Sequence, residues 1–349
     1  MNTKKPKTSA HVYDNVDDHR AWLSRLTRVE AWRYAVPLTC AIQTPQLTIR
    51  QREGILLRWN IAGRNIYSDL CPLPGFSQEN LDGALVQLKA ALIHPIDDLY
   101  SSVDLAIFSA RFQSDHPEIQ LLTERGTADI PQICCLLSPN EPIPTSGFST
   151  SCIKIKIGQS TVEQDINRLQ QVCDLLDSSQ TIRLDANGQL NNQYLKHLFS
   201  KIDPLKIDYI EDPFNAINDY HDWANRYPVA FAWDDLSSHW HENLPENMQP
   251  KALVIKPLFL GLRRAWSIAQ TAHSCHIQVV FSSAYESSLN NQLYIRLARL
   301  LGSVASQGLD TDKYWSSSLL TPPLIQEPLN VTEKTVLQLS DMDFQGIFR

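Results

Sequence analysis

The sequence lacks two features that define large classes of protein: a long apolar run and an excess of positive charge. A membrane-spanning helix needs about 20 consecutive apolar residues, and no run approaches that length. Residues 1–20 are polar and lack the apolar segment of a signal peptide. The net charge is −7, with no basic stripe, which argues against nucleic acid as the main partner. These absences predict a cytoplasmic protein with a small-molecule partner, and no membrane or nucleic-acid partner.

Cysteine is sparse and scattered. The chain has 7 cysteines, and none forms a Cys-x-x-Cys pair. This distribution favours reduced thiols over a disulfide framework or a zinc site. Cys134 and Cys135 lie together in an apolar run and are interpreted as small core residues.

The length of 349 residues suits two domains, or one large barrel with an accessory domain. We predict a polar N-terminal extension over 1–31, a capping domain over 32–128, a barrel over 129–310 and a C-terminal segment over 311–349. A short helix is expected around 21–30.

The predicted capping domain changes from strands to helices along the chain, which is typical of an α+β module. Strands are expected at 34–38 and 54–60. The two prolines of 71–77 exclude a helix or a central strand there, so this segment is predicted to be a rigid loop. A capping pattern at 77–80 then precedes a helix over 81–93.

From about residue 129, apolar strands alternate with amphipathic helices, which predicts a modified (β/α) TIM-like barrel of the α/β class. A further strand is expected at 329–339, where the C-terminal tail returns to complete the α+β capping domain. The predicted barrel strands lie at 130–137, 153–157, 181–184, 207–210, 229–233, 252–255, 278–281 and, more weakly, near 306–309.

Three acids stand at the ends of consecutive predicted strands: Asp185, Glu211 and Asp234. The carboxyl ends of parallel barrel strands meet at one face, where active sites collect. Three carboxylates suit Mg²⁺, with Mn²⁺ as the alternative, and leave positions for a substrate carboxylate. Each acid alone is also typical of a helix N-cap or an ion pair.

Three lysines accompany these acids. Lys154 and Lys156 are two residues apart, so they point to the same face of one strand, and the apolar alternate positions require that face to be the barrel interior. Lys256 follows a strand across the barrel. A second cation and a metal nearby are expected to lower the pKa of a lysine and make it a general base.

Together these residues predict abstraction of a proton next to a carboxylate, with the metal and a lysine stabilising the enediolate. Racemisation, cycloisomerisation and β-elimination all pass through that intermediate. The residues alone leave these reactions open.

The Lys-x-Lys pair, the three acids and Lys256 resemble the lysine-bearing branch of the enolase superfamily, and the resemblance extends over the chain after about residue 32. Within it, the sequence is most similar to the o-succinylbenzoate synthase family of menaquinone biosynthesis. The motifs behind this closer resemblance are PLPGFSQE at 72–79, RLDAN at 183–187, AWD at 232–234, VIKP at 254–257, SSAYESSL at 282–289 and GLDT at 308–311.

The resemblance implies a Mg²⁺-dependent syn-dehydration of 2-succinyl-6-hydroxy-2,4-cyclohexadiene-1-carboxylate. It implies that Lys156 removes the α-proton and protonates the departing hydroxyl, while Lys256 stabilises the enediolate by a cation–π contact. Asn187 and Asp235 are then expected to support the metal ligands. The implied substrate-binding residues are Lys154, Arg183, Ser282, Ser283 and Gly261.

The chain departs from the family pattern at Asp212 and Asp235, where Glu is usual. The rival hypotheses are an N-acylamino acid racemase or dipeptide epimerase of the same superfamily, a barrel that binds a metal or ligand without catalysis, and a Schiff-base aldolase. A monomer or a small homo-oligomer is expected. The segment 40–48 is the expected loop that closes over the pocket.

Overall fold

The computed structural model describes residues 16–44, 47–94, 96–116, 131–139, 141–241, 243–320 and 342–348. Within these residues an antiparallel sheet with two packed helices forms a cap, and a curved parallel sheet forms a barrel. The fold class predicted from the sequence is confirmed. No helix in these ranges is long and apolar enough to cross a membrane.

The cap is a four-stranded antiparallel sheet in the order β11-β1-β2-β3. Its tightest turn joins β2 to β3 through Ala62 and Gly63, which both have positive φ (50° and 79°). Two positive-φ residues are the requirement of a two-residue hairpin that matches strand twist. The strands are β1 (Leu26–Gln43), β2 (Thr48–Ile61), β3 (Arg64–Leu70) and β11 (Asp343–Phe348).

The helices α2 (Leu81–Ala91) and α3 (Ser101–Asp115) follow the strands of the cap. Asn80 caps α2, since its side chain accepts a hydrogen bond from the N–H of Gly83 at 2.8 Å. The prolines of 71–77 break regular structure before it, as predicted.

The N-terminal prediction needs correction. A helix α1 (Val16–Ser24) is present, but β1 begins at Leu26, so the predicted helix is wrong over 26–30. Trp22, Leu26 and Val29 are buried in the core. Burying these apolar side chains against β2 outweighs local helix propensity, and residues 16–31 belong to the cap rather than to an extension.

Seven parallel strands form the barrel sheet, in the order β10-β9-β8-β7-β6-β5-β4. Two of them span the predicted ranges without change. The strands are β4 (Cys135–Leu137), β5 (Cys152–Lys156), β6 (Thr181–Asp185), β7 (Ile207–Glu211), β8 (Phe231–Trp233), β9 (Ala252–Ile255) and β10 (Gln278–Phe281).

The expected eighth strand near 306–309 consists of single bridges. Gln307 pairs with Ile133 before β4, and Gly308 pairs with Ser282 after β10, both in parallel. The N–H of Gly308 donates to Phe281 O at 2.9 Å. These bridges join the two edges of the sheet, so this segment closes the ring without forming a strand of its own.

The barrel helices lie outside the sheet, and the helix α4 (Val162–Cys173) shows why they form. Thr161 and Gln164 make a capping box at its start. Ile166, Leu169 and Val172 then recur at helical spacing and are buried. The remaining helices are α5 (Asn192–Phe199), α6 (Trp223–Arg226), α7 (Pro257–Leu260), α8 (Leu262–Ser274) and α9 (Ser288–Leu301), after α4 (Val162–Cys173).

The C-terminal strand returns to the cap. β11 pairs antiparallel with β1, with Val29 opposite Phe348 and Trp32 opposite Phe344. The strand predicted at 329–339 lies outside the described residues. This arrangement leaves the cap above the carboxyl ends of the barrel strands, where the charged residues lie.

Candidate active site

The three acids singled out from the sequence converge at the carboxyl end of the barrel. Asp185 and Glu211 are the last residues of β6 and β7, and they are direct neighbours in the parallel register. Neighbouring strands are about 4.8 Å apart, which brings their side chains together. Asp234 directly follows β8. All three are buried, with Glu211 only 1% exposed.

The three lysines lie against these acids. Lys154 Nζ is 2.6 Å from Glu211 Oε1 and 3.1 Å from Asp185 Oδ2. Lys156 Nζ is 3.3 Å from the same Asp185 oxygen. Lys256 forms a short ion pair with Asp234. The structure therefore brings together all six charged residues that the sequence predicted.

Burial and neighbouring charges shift the pKa values of Glu211 and Asp185 in opposite directions. Burial and repulsion from Asp185 and Asp234 raise the pKa of Glu211 to about 8, although Lys154 opposes this shift. Burial also acts to raise the pKa of Asp185, but the attraction of Lys154, Lys156 and Lys256 holds that pKa below its usual range. The pKa values of these two neighbouring carboxyls are thus shifted in opposite directions.

Burial acts to lower the pKa of Lys154. The attraction of Asp185, Glu211 and Asp234 is stronger and raises that pKa well above the usual range. The pKa of Lys256 is also raised: burial acts against it, but Asp234 outweighs that effect. Each of these two lysines faces carboxylates more closely than it faces another cation, which accounts for both raised pKa values.

Two polar residues support the acids and lysines from behind. Asn187, in the left-handed region at φ 43°, accepts a hydrogen bond from Lys156 Nζ at 2.7 Å. Asp212 accepts from the backbone N–H of Asp234 at 3.0 Å and from that of Asp235 at 2.7 Å. Burial and repulsion from Asp234 raise the pKa of Asp212 to about 7.

Asp212 was missed as a functional residue by the sequence analysis, which noted it only as a departure from a family pattern. The sequence did contain a signal for Asp212. An acid between Glu211 and Pro213 has few neighbours in the chain with which it can form a hydrogen bond or an ion pair. Asp235 lines the cleft and follows Asp234 in the chain.

The donor set fits a hard divalent cation. Three carboxylates share one end of the barrel, and Asp185 Oδ1 is buried without a hydrogen-bond partner among the described residues. A buried orphan oxygen is costly unless a cation or water satisfies it. Within those residues no three acidic, His or Cys side chains are gathered around one point; Lys154 and Lys256 lie against the oxygens instead.

Arg183 is not in the cleft, which corrects its assignment to the substrate. Its Nε pairs with Asp208 at 2.9 Å and its Nη1 donates to Ser306 O at 2.6 Å. Its guanidinium also lies over the ring of Tyr209, 4.8 Å from the centroid. Arg183 shares a strand face with Asp185 but lies two residues earlier, and so deeper inside the barrel.

Gly261 is a contact between cap and barrel rather than a substrate contact, which corrects a second prediction. It has φ 75° and ψ 156°, a region open almost only to glycine. A Cβ there would lie 2.8 Å from Cγ of Asp104 in α3. Asp104 in turn accepts from Arg263 Nε at 2.6 Å. The glycine lets the start of α8 approach α3.

Ser282 and Ser283 lie at the cleft, as the sequence predicted. Ser283 Oγ is hydrogen-bonded to Thr311 Oγ1 at 2.6 Å, and Ser282 Oγ donates to Gly308 O at 3.3 Å. Tyr285 follows with a positive φ of 61°. This strained turn places two hydroxyls and an aromatic ring at one wall of the cleft.

The cap holds that turn through a buried polar cluster. Arg52 Nε donates to Tyr285 O at 3.0 Å. Asp69 accepts from Ser287 Oγ at 2.6 Å and from Tyr34 Oη at 2.8 Å. The sequence analysis did not find this cluster. The sequence carried little signal for it, because Arg52 lies in a polar run and the partners Tyr285 and Ser287 lie far along the chain.

A cleft of about 1500 Å³ lies between the cap and the barrel. Its floor carries Lys154, Lys156, Asp185 and Lys256. On the opposite side, Ile42 and Gln43 come from the predicted closing segment. The cleft is large enough for a drug-sized ligand.

Comparison with known proteins decides the family. A model described as the enolase C-terminal domain-like family matches residues 145–337, more than half of the chain. The chain belongs to the enolase superfamily. A model of the MenC N-terminal domain matches residues 26–109.

Named relatives and solved structures agree with this placement. The o-succinylbenzoate synthases of Yersinia pestis (strain Pestoides F) and Yersinia pseudotuberculosis serotype O:1b (strain IP 31758) are 27% identical over 312 residues, covering 87% of this chain and 96% of theirs.

Two solved structures show the same fold. The o-succinylbenzoate synthase of Thermosynechococcus elongatus BP-1, complexed with Mg in the active site, has a TM-score of 0.62 at 22% identity, covering 86% of this chain and 97% of its own. The dipeptide epimerase of Cytophaga hutchinsonii, complexed with Mg and D-Ala-L-Val, has a TM-score of 0.72 at 18% identity, covering 93% and 100%.

Proposed function

We propose that this enzyme is an o-succinylbenzoate synthase, a hydro-lyase that removes water from 2-succinyl-6-hydroxy-2,4-cyclohexadiene-1-carboxylate to give 2-succinylbenzoate. The observation that carries the proposal is the placement of Lys156 and Lys256. Lys156 ends strand β5 and Lys256 directly follows β9, and these two strands lie opposite each other around the closed ring. The three acids lie on the strands between them. The named relatives in Yersinia support the choice of reaction.

Asp185, Glu211 and Asp234 are the proposed ligands of Mg²⁺, with Mn²⁺ as the alternative ion. When bound, Mg²⁺ supplies positive charge that stabilises a substrate carboxylate as it gains electron density. Asp212 accepts one hydrogen bond from the backbone N–H of Asp234 and one from that of Asp235, and so fixes that ligand.

The proton steps are assigned to Lys156. Its Nζ takes the α-proton from the substrate, and the electrons of that C–H bond move toward the carboxylate. The C–O bond then breaks, and Lys156 returns the proton to the departing hydroxyl, which leaves as water from the same face. Asn187 Oδ1 orients the amine through its 2.7 Å hydrogen bond. The ring becomes aromatic, which drives the elimination.

The other residues bind and orient. Lys256 faces the second side of the substrate, where its ammonium stabilises the enediolate by a cation–π contact. Lys154 lies beside Asp185 and Glu211 and attracts the reacting carboxylate. Ser282 and Ser283 are the proposed hydrogen-bond donors to the succinyl carboxylate.

The deciding experiment supplies the cyclohexadiene substrate with Mg²⁺ and follows the aromatic product by ultraviolet absorbance. We expect turnover that stops when the ion is chelated and returns when Mg²⁺ is added. Absence of product at high enzyme concentration would overturn the synthase assignment.

A second candidate function is racemisation of N-acylamino acids or epimerisation of dipeptides. The specific observation in its favour is a lysine on each side of the cleft, since these reactions need one base on each face. Incubation of N-succinyl amino acids and dipeptides in D₂O tests it. Deuterium incorporation at the α-carbon with change of configuration, without any dehydration activity, would select this candidate.

A further inference from the structure

Two cysteines face each other in the barrel below the charged residues. Cys134 lies just before β4, and Cys152 begins β5. The register that pairs Cys135 with Ile153 continues to place Cys134 beside Cys152. Their sulfur atoms are 2.9 Å apart, and the residues are 1% and 3% exposed. Both sulfurs are free thiols.

The backbone geometry here is compatible with a covalent link. Neighbouring strands are about 4.8 Å apart, and disulfides join Cα atoms about 4.4–6.8 Å apart. The two side chains already point at each other, so forming the bond needs a small adjustment rather than a change of fold.

The two thiols differ in their surroundings. The hydrogen bond with Cys134 lowers the pKa of Cys152; burial opposes the shift, while the charges of Arg183 and Lys154 assist it. Burial and the neighbouring Cys152 raise the pKa of Cys134. Cys152 is therefore the nucleophile of the pair, because the thiolate is the reactive form.

A small oxidant has a route to the pair. Cys134 lines the floor of the 1500 Å³ cleft, together with Lys154 and Asp185. Peroxide that enters the cleft meets Cys134 first, and a local movement of that side chain brings it to the Cys152 sulfur, which lies 2.9 Å from the Cys134 sulfur. A ligand seated over Lys154 would block the same route.

We propose that Cys134 and Cys152 form a reversible disulfide that switches off the active site. With hydrogen peroxide as the oxidant, the Cys152 thiolate attacks one peroxide oxygen, the O–O bond breaks, and hydroxide leaves. The sulfenic acid of Cys152 is then attacked by Cys134, which forms the S–S bond and releases water. Two sulfurs are each oxidised by one electron, and peroxide is reduced to two waters.

The effect on activity follows from Lys154 and rests on the proposed function. Lys154 lies two residues after Cys152 on the same strand and face, and its ammonium contacts both Asp185 and Glu211. Closing the gap between the sulfur atoms from 2.9 Å to a bond of about 2.0 Å moves the Cys152 side chain, which lies on the same strand face as that ammonium group. Misplacement of an active-site group by about 1 Å costs on the order of 100-fold in rate.

The test treats the purified full chain with graded hydrogen peroxide, quenches it, and maps cysteines by mass spectrometry. We expect a Cys134–Cys152 linked peptide whose mass is lower by two hydrogen atoms, and a fall in dehydration rate of roughly 10- to 100-fold. Dithiothreitol should reverse both. Prior addition of 2-succinylbenzoate should slow the linkage.

Three variants make the result specific. Cys134→Ala and Cys152→Ala each remove the partner, so neither should form the link or show dithiothreitol-reversible inactivation. Cys173→Ser removes a partly exposed cysteine at the end of α4, outside the pair and away from the cleft, and it should behave as the unchanged chain. Circular dichroism checks that each variant folds.

The linked peptide is measured without any assay of activity, so the two proposals fail separately. If the Cys134–Cys152 link forms in a chain that never dehydrates the substrate, the disulfide proposal stands and the synthase assignment is overturned. An active chain in which peroxide oxidises Cys40 but never links Cys134 to Cys152 overturns the disulfide. A link that leaves the rate unchanged overturns its role as a switch.

Discussion

The carboxylate of Asp212 accepts a hydrogen bond from the backbone N–H of Asp234 at 3.0 Å. A side chain on one strand end therefore fixes the position of an acid on the next. Asp212 itself does not line the cleft, so its contribution acts through Asp234 and the neighbouring Asp235.

Replacing Asp212 tests this relationship. Asp212→Ala leaves the two N–H groups without an acceptor and frees the Asp234 backbone. We expect the affinity for Mg²⁺ to fall by about 10- to 100-fold, the range for losing a group that orients a metal ligand. Titration of activity against Mg²⁺, with calorimetry of Mg²⁺ binding, measures it. Asp219→Ala, an exposed acid on the same side of the barrel, should leave the affinity unchanged.

Lys156 is expected to be indispensable for proton transfer. Lys156→Ala removes the proposed acid and base, and we expect kcat to fall by about 10²- to 10⁴-fold with little change in thermal stability. Rate measurements check the fall in kcat, and thermal unfolding followed by circular dichroism checks the stability. Lys201→Ala, on an exposed turn, is the control. Full activity in Lys156→Ala would assign the base to another residue.

Gly261 is predicted to be essential for the junction of cap and barrel. Gly302 provides a matched control, since it also has positive φ (73°) but has no atom within 4 Å of an added Cβ. Gly302→Ala should cost about 1 kcal/mol of unfolding free energy from backbone strain alone. Gly261→Ala adds a clash with Asp104 and a backbone conformation (ψ 156° against 22° at Gly302) that is open almost only to glycine, and it should cost at least about 2 kcal/mol more. Urea unfolding of both variants gives the comparison, and equal losses would contradict it.

Asp69 should make the protein less stable as pH rises through the acidic range. Burial raises its pKa to about 6 although Ser287, Tyr34 and Arg52 oppose the shift, whereas an unfolded Asp titrates near 4. Between these values the folded state binds more protons than the unfolded state, so the free energy of unfolding falls from pH 4 to pH 6. The loss amounts to about 3 kcal/mol and persists at higher pH.

Asp69→Asn removes this titration without removing the acceptor oxygen. The difference in unfolding free energy between the two proteins should therefore change between pH 4 and pH 6 and stay constant above pH 7. Urea unfolding at several pH values measures it. A difference that is constant from pH 4 to pH 7 would show that Asp69 has an ordinary pKa.

The parts of the fold that follow from local pattern were predictable. β9 (Ala252–Ile255) and β10 (Gln278–Phe281) span the predicted ranges, because buried parallel strands are continuous apolar runs. The acids at the strand ends were also predictable. A charged side chain that directly follows a buried apolar strand must lie at the rim of the barrel.

Depth along the barrel and contacts between distant segments were not predictable. The alternation of side chains along a strand places Arg183 on the same face of β6 as Asp185. It does not reveal that Asp208 and Ser306 hold Arg183 below the cleft. The need for glycine at 261 comes from Asp104, a residue in the other domain. The strand at 26–30 forms because β2 and β11 flank it, which local propensity for a helix does not reflect.

The pairing of β11 with β1 also constrains when the cap can mature. During synthesis β1 emerges early and pairs with β2, but one of its edges stays open until the strand that ends at Phe348 has left the ribosome. An unpaired strand edge is a template for wrong pairing, and contacts between distant segments form slowly. The barrel between them therefore has time to fold before the cap sheet is complete, and the nascent protein depends on that delay being short.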